Sequence, residues 1–169
     1  DNISTDEISP AGVQALPLRS NIPKLALFSF TRVDDSYPER AQQAGDGGHI
    51  IVAGDNYGQG SSREHAAIAP RYLGLRVVIA KSFARIHWQN LANYGILALE
   101  FDNPGDYDSI DQDDTLRIQN LTALDQGDAL QVENVSKGSS FPVRHRLSPR
   151  QVKDVLAGGL IPRLNQEQK

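Results

Sequence analysis

The chain has 169 residues, of which 39% are hydrophobic and 22% charged, as is usual for one globular domain with its own core. Its formal net charge is −4 and its basic residues are scattered, so no basic field is present to recruit a nucleic acid. No apolar stretch approaches the roughly 18 residues that span a bilayer, and we expect no membrane partner. The chain has no cysteine and therefore no thiolate metal ligand.

The first half of the chain changes from a loop-rich opening to alternating strands and helices. Residues 1–24 are predicted to be irregular, and the apolar run 25–33 is either a strand or a helical turn with a tail. Residues 36–44 are predicted to form a short helix that ends at the glycines of 45–48. Strands are then predicted at 49–53, 75–80 and 96–101, with helices between them at 62–70 and 83–94. This alternation is typical of parallel βαβ units.

The last third has a different pattern of short alternating strands separated by turns, at 115–118, 129–135 and 140–147. This pattern predicts a small antiparallel sheet. Ser148, Pro149 and Gln151 are typical of a helix start with a capping box, the glycines 158–159 would end that helix, and residues 166–169 are predicted to be a frayed tail. The whole pattern predicts an α/β fold with a mostly parallel central sheet and a smaller antiparallel sheet.

The most informative segment follows the strand 49–53 and reads Gly-Asp-Asn-Tyr-Gly-Gln-Gly-Ser-Ser-Arg-Glu-His from residue 54. Its glycines allow positive φ and a close backbone approach. Ser61 and Ser62 are predicted to begin a helix, where free N–H groups favour an anion. A carboxylate fits better than a phosphate because Arg63 carries a forked guanidinium and the P-loop lysine and spacing are missing. An ordinary serine cap behind a glycine turn explains the same pattern equally well.

Three separated motifs resemble the small swivelling domain of the aconitase superfamily. Residues 55–67 resemble its signature, residues 3–12 resemble its opening motif, and residues 81–87 with Asn90, Leu91 and Gly95 resemble a third. The resemblance covers nearly the whole chain and implies a three-layer β/β/α swivelling domain. We therefore expect residues 1–169 to be one domain, a piece of a longer protein, since the chain lacks methionine and opens directly on a motif.

The aconitase branch fits best within this superfamily, and the isopropylmalate isomerase small subunit is a related form. Pro70-Arg71 and residues 84–86 are similar to aconitases. The chain departs from the mitochondrial aconitase pattern at Glu7, at Gln59 and in the spacing before Arg19. The sequence therefore does not decide whether the substrate is citrate, homocitrate or isopropylmalate.

The resemblance implies roles for individual residues. Ser61 would be the catalytic base, as an alkoxide that takes a proton from carbon, and Arg19, Ser62 and Arg63 would bind substrate carboxylates. Thr5, Asp6 and Ser9 map near the same site. For His65, one helical turn beyond Ser61, a structural hydrogen bond is favoured over proton transfer. Lys81 and Arg85 are predicted to support the site or to contact missing domains.

The resemblance also implies a cofactor and partners. A [4Fe-4S] cluster would be bound by cysteine-bearing domains outside this chain, which supplies no metal ligand; His49, His87 and His145 lack ligand spacing. The implied partners are those domains and a tricarboxylate. The expected location is the cytoplasm, or the mitochondrial matrix in a eukaryote.

Three classes of function remain from the sequence. The first is the swivel domain of an aconitase-type hydro-lyase that interconverts citrate and isocitrate through cis-aconitate, inactive without the cluster-bearing domains. The second is a non-catalytic binding module, since some superfamily members bind RNA. The third is a separate small subunit of an isopropylmalate or homoaconitate isomerase.

Overall fold

One six-stranded sheet forms the centre of the computed structural model, which describes residues 1–168 apart from the side chain of residue 46. Its strands are β1 (His49–Ala53), β2 (Leu75–Ala80), β3 (Leu97–Phe101), β4 (Leu116–Ile118), β5 (Ala129–Asn134) and β6 (Ser139–Arg144). Their order across the sheet is β1-β2-β3-β6-β5-β4. The first three strands are parallel, and the remaining pairs are antiparallel.

Short helices surround this sheet: α1 (Thr5–Ile8), α2 (Ile22–Ala26), α3 (Tyr37–Gln43), α4 (His65–Tyr72), α5 (Arg85–Asn93), α6 (Pro149–Leu156) and α7 (Leu160–Glu167). Short 3₁₀ segments lie at Leu16–Leu18, Gly45–Gly47, Pro104–Ser109 and Leu121–Ala123. No helix in the described part of the chain is long and apolar enough to cross a bilayer.

The predicted fold class is confirmed, and the structure adds how its two sheets are related. They are one sheet, because β3 pairs with β6 at Glu100–Arg144 and Phe101–Val143. Both faces of the central strands are buried, as is usual where helices cover parallel strands. Val78 and Ala80 of β2 face a core shared with α1 to α4, whereas Val77 and Ile79 face a second core shared with β3, β5 and β6.

The apolar run 25–33 adopts the helical alternative. The helix α2 ends at Ala26, and turns follow, in which Phe30 has φ +58°. Leu25, Ala26 and Phe30 are buried against the first core. This run therefore packs against that core from outside the sheet and is not one of its strands.

The end of the chain differs from the prediction of a frayed tail at 166–169. The capping box of Ser148 and Gln151 is present at α6, and Gly158 and Gly159 end that helix with positive φ. The chain then forms α7, because Arg163 donates to the carboxylate of Asp154 at 2.5 Å, and Asp154 is only 1% exposed. Position 169 lies outside the described residues.

Candidate active site

The glycine loop between β1 and α4 lies at the carboxyl end of a parallel strand, where open α/β sheets commonly bind ligands. The prediction that Ser61 and Ser62 begin the helix is wrong. The helix α4 begins at His65, with Glu64 as a cap residue that makes no side-chain capping bond. Ser61 and Ser62 are instead exposed in the loop that leads to the helix. The loop backbone, not a helix terminus, therefore presents them.

Two glycines shape this loop. Gly58 has φ +81°, and a Cβ built on it would lie 2.1 Å from the ring of His87 on α5. Gly60 has φ +99°, and its Cβ would lie 3.4 Å from the Thr5 hydroxyl. At Gly58 the loop can therefore take this path only because no side chain separates it from α5, whereas at Gly60 the positive φ rather than the available space favours glycine.

The opening segment holds the glycine loop from outside by backbone hydrogen bonds. Asn2 N–H donates to the Asp55 carbonyl at 2.7 Å, Gly58 N–H to the Ile3 carbonyl at 2.7 Å, and Thr5 N–H to the Gln59 carbonyl at 2.8 Å. The Thr5 hydroxyl then donates to the Ser61 carbonyl at 3.0 Å. Thr5, buried at 2% exposure, therefore fixes the backbone of Ser61 from a distance of 56 residues in sequence.

Arg63 is oriented by the first helix. Its Nη1 donates to Asp6 Oδ1 and lies 3.5 Å from the Ser9 carbonyl. The arginine side chain is 19% exposed, and that of Asp6 is 48% exposed. The hydrogen bond from Arg63 holds the pKa of Asp6 below its usual value. Asp6 and Ser9 thus position one edge of the guanidinium.

His65 connects the start of α4 to the loop that carries Arg19. Its Nε2 lies 3.2 Å from the Arg19 carbonyl, which can only accept, so this nitrogen carries the proton. The bond fits the structural role that the sequence favoured for His65. It places the backbone of Arg19, an exposed residue, at the same end of the domain as Arg63.

The loop also presents free backbone donors. Among the described residues, no acceptor is found for the backbone N–H groups of Ser61, Ser62 and Arg63. Successive free N–H groups beside a guanidinium favour an anion. The donors that the sequence placed at a helix terminus therefore lie in the loop, and anion binding there stays a prediction.

The first turn of α5, which begins at Arg85, reaches the same place. A hollow of about 490 Å³ is lined by Gly58, Gly60 and Ser61 of the loop and by residues 84–87 and 89. Arg85 and Ser61 line the same hollow, and the role of Arg85, support of the site or contact with missing domains, stays a prediction. Lys81 does not line it: its ammonium lies 4.6 Å from the ring centre of Tyr107.

His87 forms the buried floor of this hollow. It is 2% exposed, and its two ring nitrogens have no hydrogen-bond partner among the described residues. Burial lowers its pKa to about 4, so the ring is neutral at pH 7. Its role visible here is to pack against Tyr57 and Gly58.

The residues of this chain do not fit an iron–sulfur cluster. The sequence has no cysteine, and the described residues contain no group of three or more candidate metal ligands. The groups that the candidate site offers are the two serine hydroxyls, backbone N–H groups and arginines.

The chain is similar to a known protein family and to several of its members. The family described as Aconitase C-terminal domain matches residues 30–104, which include the glycine loop. The "Probable aconitate hydratase, mitochondrial" of Dictyostelium discoideum is 43% identical over 122 residues, 70% of this chain and 16% of that protein. The "Homocitrate dehydratase, mitochondrial" of Saccharomyces cerevisiae is 41% identical over 119 residues, 66% of this chain and 15% of that protein. The chain thus spans about one sixth of the length of the curated relatives that it matches.

A solved structure matches over nearly the full length. The crystal structure of 3-isopropylmalate dehydratase (leuD) from Methanocaldococcus jannaschii has a TM-score of 0.78 and 30% identity, and the match covers 98% of this chain and 87% of that one. Together with the serine–arginine loop at the carboxyl end of β1, the fold defines a domain of the aconitase type. The chain belongs to the aconitase C-terminal domain family.

We expect Gly58→Ala to destabilise the chain more than Gly138→Ala does. Both glycines have positive φ, but a Cβ at Gly138 meets nothing within 4 Å, whereas a Cβ at Gly58 meets the His87 ring. The Gly138 variant measures the cost of the backbone conformation alone, about 1 kcal/mol. The Gly58 variant should lose at least about 2 kcal/mol more in denaturant titration. Equal losses would show that the close approach to His87 is unimportant.

We expect the stability of the chain to depend on pH through His87. An unfolded histidine has a pKa near 6.5, and burial lowers that of His87 to about 4, so the unfolded state binds more protons between these values. The free energy of unfolding should therefore fall as the pH is lowered from 7 to 5. His87→Phe should remove about 2 kcal/mol of that fall. His49, whose pKa is also lowered to about 4, stays in both proteins, so the difference isolates His87. Parallel pH profiles would contradict this assignment.

Proposed function

We propose that this chain is the swivel domain of an aconitase-type hydro-lyase, and that it supplies the base and part of the carboxylate site for interconversion of citrate and isocitrate through cis-aconitate. The observation that carries the proposal is the joint presence of Ser61, Arg63 and free N–H groups on one exposed loop in a chain of this family. Several relatives are named aconitate hydratase, which supports the reaction class.

The proposed chemical role of Ser61 is proton transfer at carbon. A serine hydroxyl is a weak base, so its anion needs preorganised donors and cations. Free backbone N–H groups and the Arg63 guanidinium supply that kind of environment. In dehydration, Ser61 Oγ takes the proton from the carbon next to a carboxylate; in hydration it returns that proton. Departure of the hydroxyl is assigned to no residue of this chain.

The proposed role of the arginines is to bind carboxylates. Asp6 occupies one edge of the Arg63 guanidinium, which leaves further N–H groups for a substrate. Arg19 is exposed on the loop held by His65, and we assign it a second carboxylate. Ser62, next to the base, adds a hydroxyl and a backbone donor. Thr5, Asp6, Ser9 and His65 act as positioning residues.

The remainder of the enzyme is also part of this proposal. The chain spans about one sixth of its relatives, and we propose that cysteine-bearing domains, in the same polypeptide or in a large subunit, hold a [4Fe-4S] cluster and face the loop. Several relatives are named mitochondrial; we propose the cytoplasm or the mitochondrial matrix as the location.

The alternative substrates are homocitrate and isopropylmalate, because a matched relative is a homocitrate dehydratase and a matched structure a 3-isopropylmalate dehydratase. Assay of the full-length protein with citrate, homocitrate and isopropylmalate decides between them. Turnover of citrate and cis-aconitate at the highest kcat/KM supports the proposal, and a preference for either other acid replaces it.

In the full-length protein, we expect Ser61→Ala to lower kcat at least about 100-fold, because the base is lost, and to change KM little. Ser140→Ala, at an exposed position of β6, is the matched control and should leave both constants unchanged. Steady-state hydration of cis-aconitate measures both. A kcat within a few-fold of the wild type in Ser61→Ala would refute the base assignment.

We expect Arg63→Lys and Arg19→Lys to raise KM about tenfold or more, because a lysine cannot make the forked contact with a carboxylate. Arg117→Lys is the control, since Arg117 pairs with Glu133 on the exposed face of the antiparallel strands. Unchanged KM values in both active-site variants would remove the arginines from the carboxylate site.

A further inference from the structure

A carboxylate stands next to the donors of the glycine loop. Glu64 directly follows Arg63 and is exposed at the start of α4. Its side chain makes no capping bond to the helix, and it belongs to none of the ion pairs found among the described residues. A carboxylate directed at Arg63, or at the free N–H groups of residues 61–63, would occupy the donors that a substrate anion needs. The direction of the Glu64 side chain therefore matters for an anion site.

The hydroxyl of Tyr94 holds this carboxylate. Tyr94 Oη donates to Glu64 Oε2 over a long 3.3 Å, across 30 residues of sequence. The tyrosine ends α5 and is partly buried against the core shared with α1 to α4. Burial, and then the Glu64 carboxylate, raises the pKa of the Tyr94 phenol, so the phenol stays protonated and remains a donor at neutral pH.

Tyr94 itself is fixed from two directions. Arg71, in the last turn of α4, donates from Nε to the Tyr94 carbonyl at 3.0 Å. The next residue, Gly95, has φ +70°, and a Cβ built on it would lie 2.3 Å from the backbone of Gly158, just beyond α6. The phenol therefore extends from a rigid backbone and reaches from the end of α4 to the residue before its start.

We propose that Tyr94 is a positioning residue for the carboxylate site: its hydroxyl holds the Glu64 carboxylate away from Arg63 and from the free N–H groups of the loop, so that these donors remain available to a substrate anion. The inference rests on the proposed function, because it requires that the loop binds a polycarboxylate. If Tyr94 only packed α5 against α4, the charge of Glu64 would play no part, and this difference is what the test uses.

The test measures binding of tricarballylate, a tricarboxylate without a hydroxyl group, to the full-length protein by calorimetry. Tyr94→Phe keeps the ring and removes the donor, and it should raise Kd about fivefold because the released carboxylate competes with the ligand. Glu64→Gln alone should bind at least as tightly as the unaltered protein. The double variant should bind as Glu64→Gln does, because the competing charge is gone.

Two further readouts separate charge from packing. Salt screens exposed charges, so the weakening of Kd in Tyr94→Phe relative to the unaltered protein should shrink between about 0.01 M and about 0.15 M ionic strength. In steady-state hydration of cis-aconitate, Tyr94→Phe should raise KM and leave kcat within about twofold. Tyr72→Phe is the matched control, since Tyr72 also lies on α4, where it is 56% exposed, and it should leave Kd, KM and kcat unchanged.

The hydrogen bond can also be tested without a ligand. Glu64→Gln removes a negative charge beside the phenol, so it should lower the pKa of Tyr94. The phenolate absorbance that Tyr94→Phe removes, followed over alkaline pH with and without Glu64→Gln, measures this change. Identical titrations in the two backgrounds would show that the bond is not formed and would overturn the proposal.

The outcomes separate this inference from the proposed function. An unchanged Kd in Tyr94→Phe, or a weaker Kd that Glu64→Gln does not restore, would overturn the positioning role while hydration of cis-aconitate still supports the function. Weaker binding that Glu64→Gln restores, in a protein that does not hydrate cis-aconitate, would support the positioning role and refute the function. An unaltered protein that does not bind tricarballylate would contradict both.

Discussion

The candidate site depends on one constraint, the close approach of three backbone segments at Gly58. At Gly58 the loop passes over the His87 ring with no room for a side chain, and the Gly58 N–H donates to the carbonyl of Ile3. This contact brings the opening segment, the glycine loop and the first turn of α5 together. Thr5 can then hold the backbone of Ser61, and Asp6 can hold Arg63.

The electrostatics of the site follow from that arrangement. The pairing of Asp6 with Arg63 uses one donor edge of a group that is 19% exposed, so the guanidinium is fixed but still accessible. The neutral, buried His87 adds no charge next to Ser61. The exposed N–H groups, serine hydroxyls and Arg19 are donors that suit a polycarboxylate and a developing alkoxide, and the exposed Glu64 carboxylate next to them accepts from the Tyr94 hydroxyl.

Much of this fold could be predicted from the sequence because the periodic segments are strong. The strands 49–53 and 75–80 were predicted with the bounds that the structure gives, and so was the capping box at Ser148. The start of α4 was misplaced because serines after glycines resemble an N-cap, whereas here Thr5, far away in sequence, holds that backbone in a loop. The helix α7 was missed because it depends on the tertiary pair between Arg163 and Asp154. The pairing of Asp6 with Arg63 likewise depends on how distant segments pack.

The central claim is that the loop at Ser61 to Arg63 faces a bound polycarboxylate. A crystal structure of the full-length protein with citrate or isocitrate tests it most directly. We predict that Ser61 Oγ lies about 3 to 3.5 Å from the substrate carbon that loses its proton, and that Arg63 makes a forked contact with a carboxylate. A substrate bound elsewhere, with the serine loop open to solvent, would contradict the account.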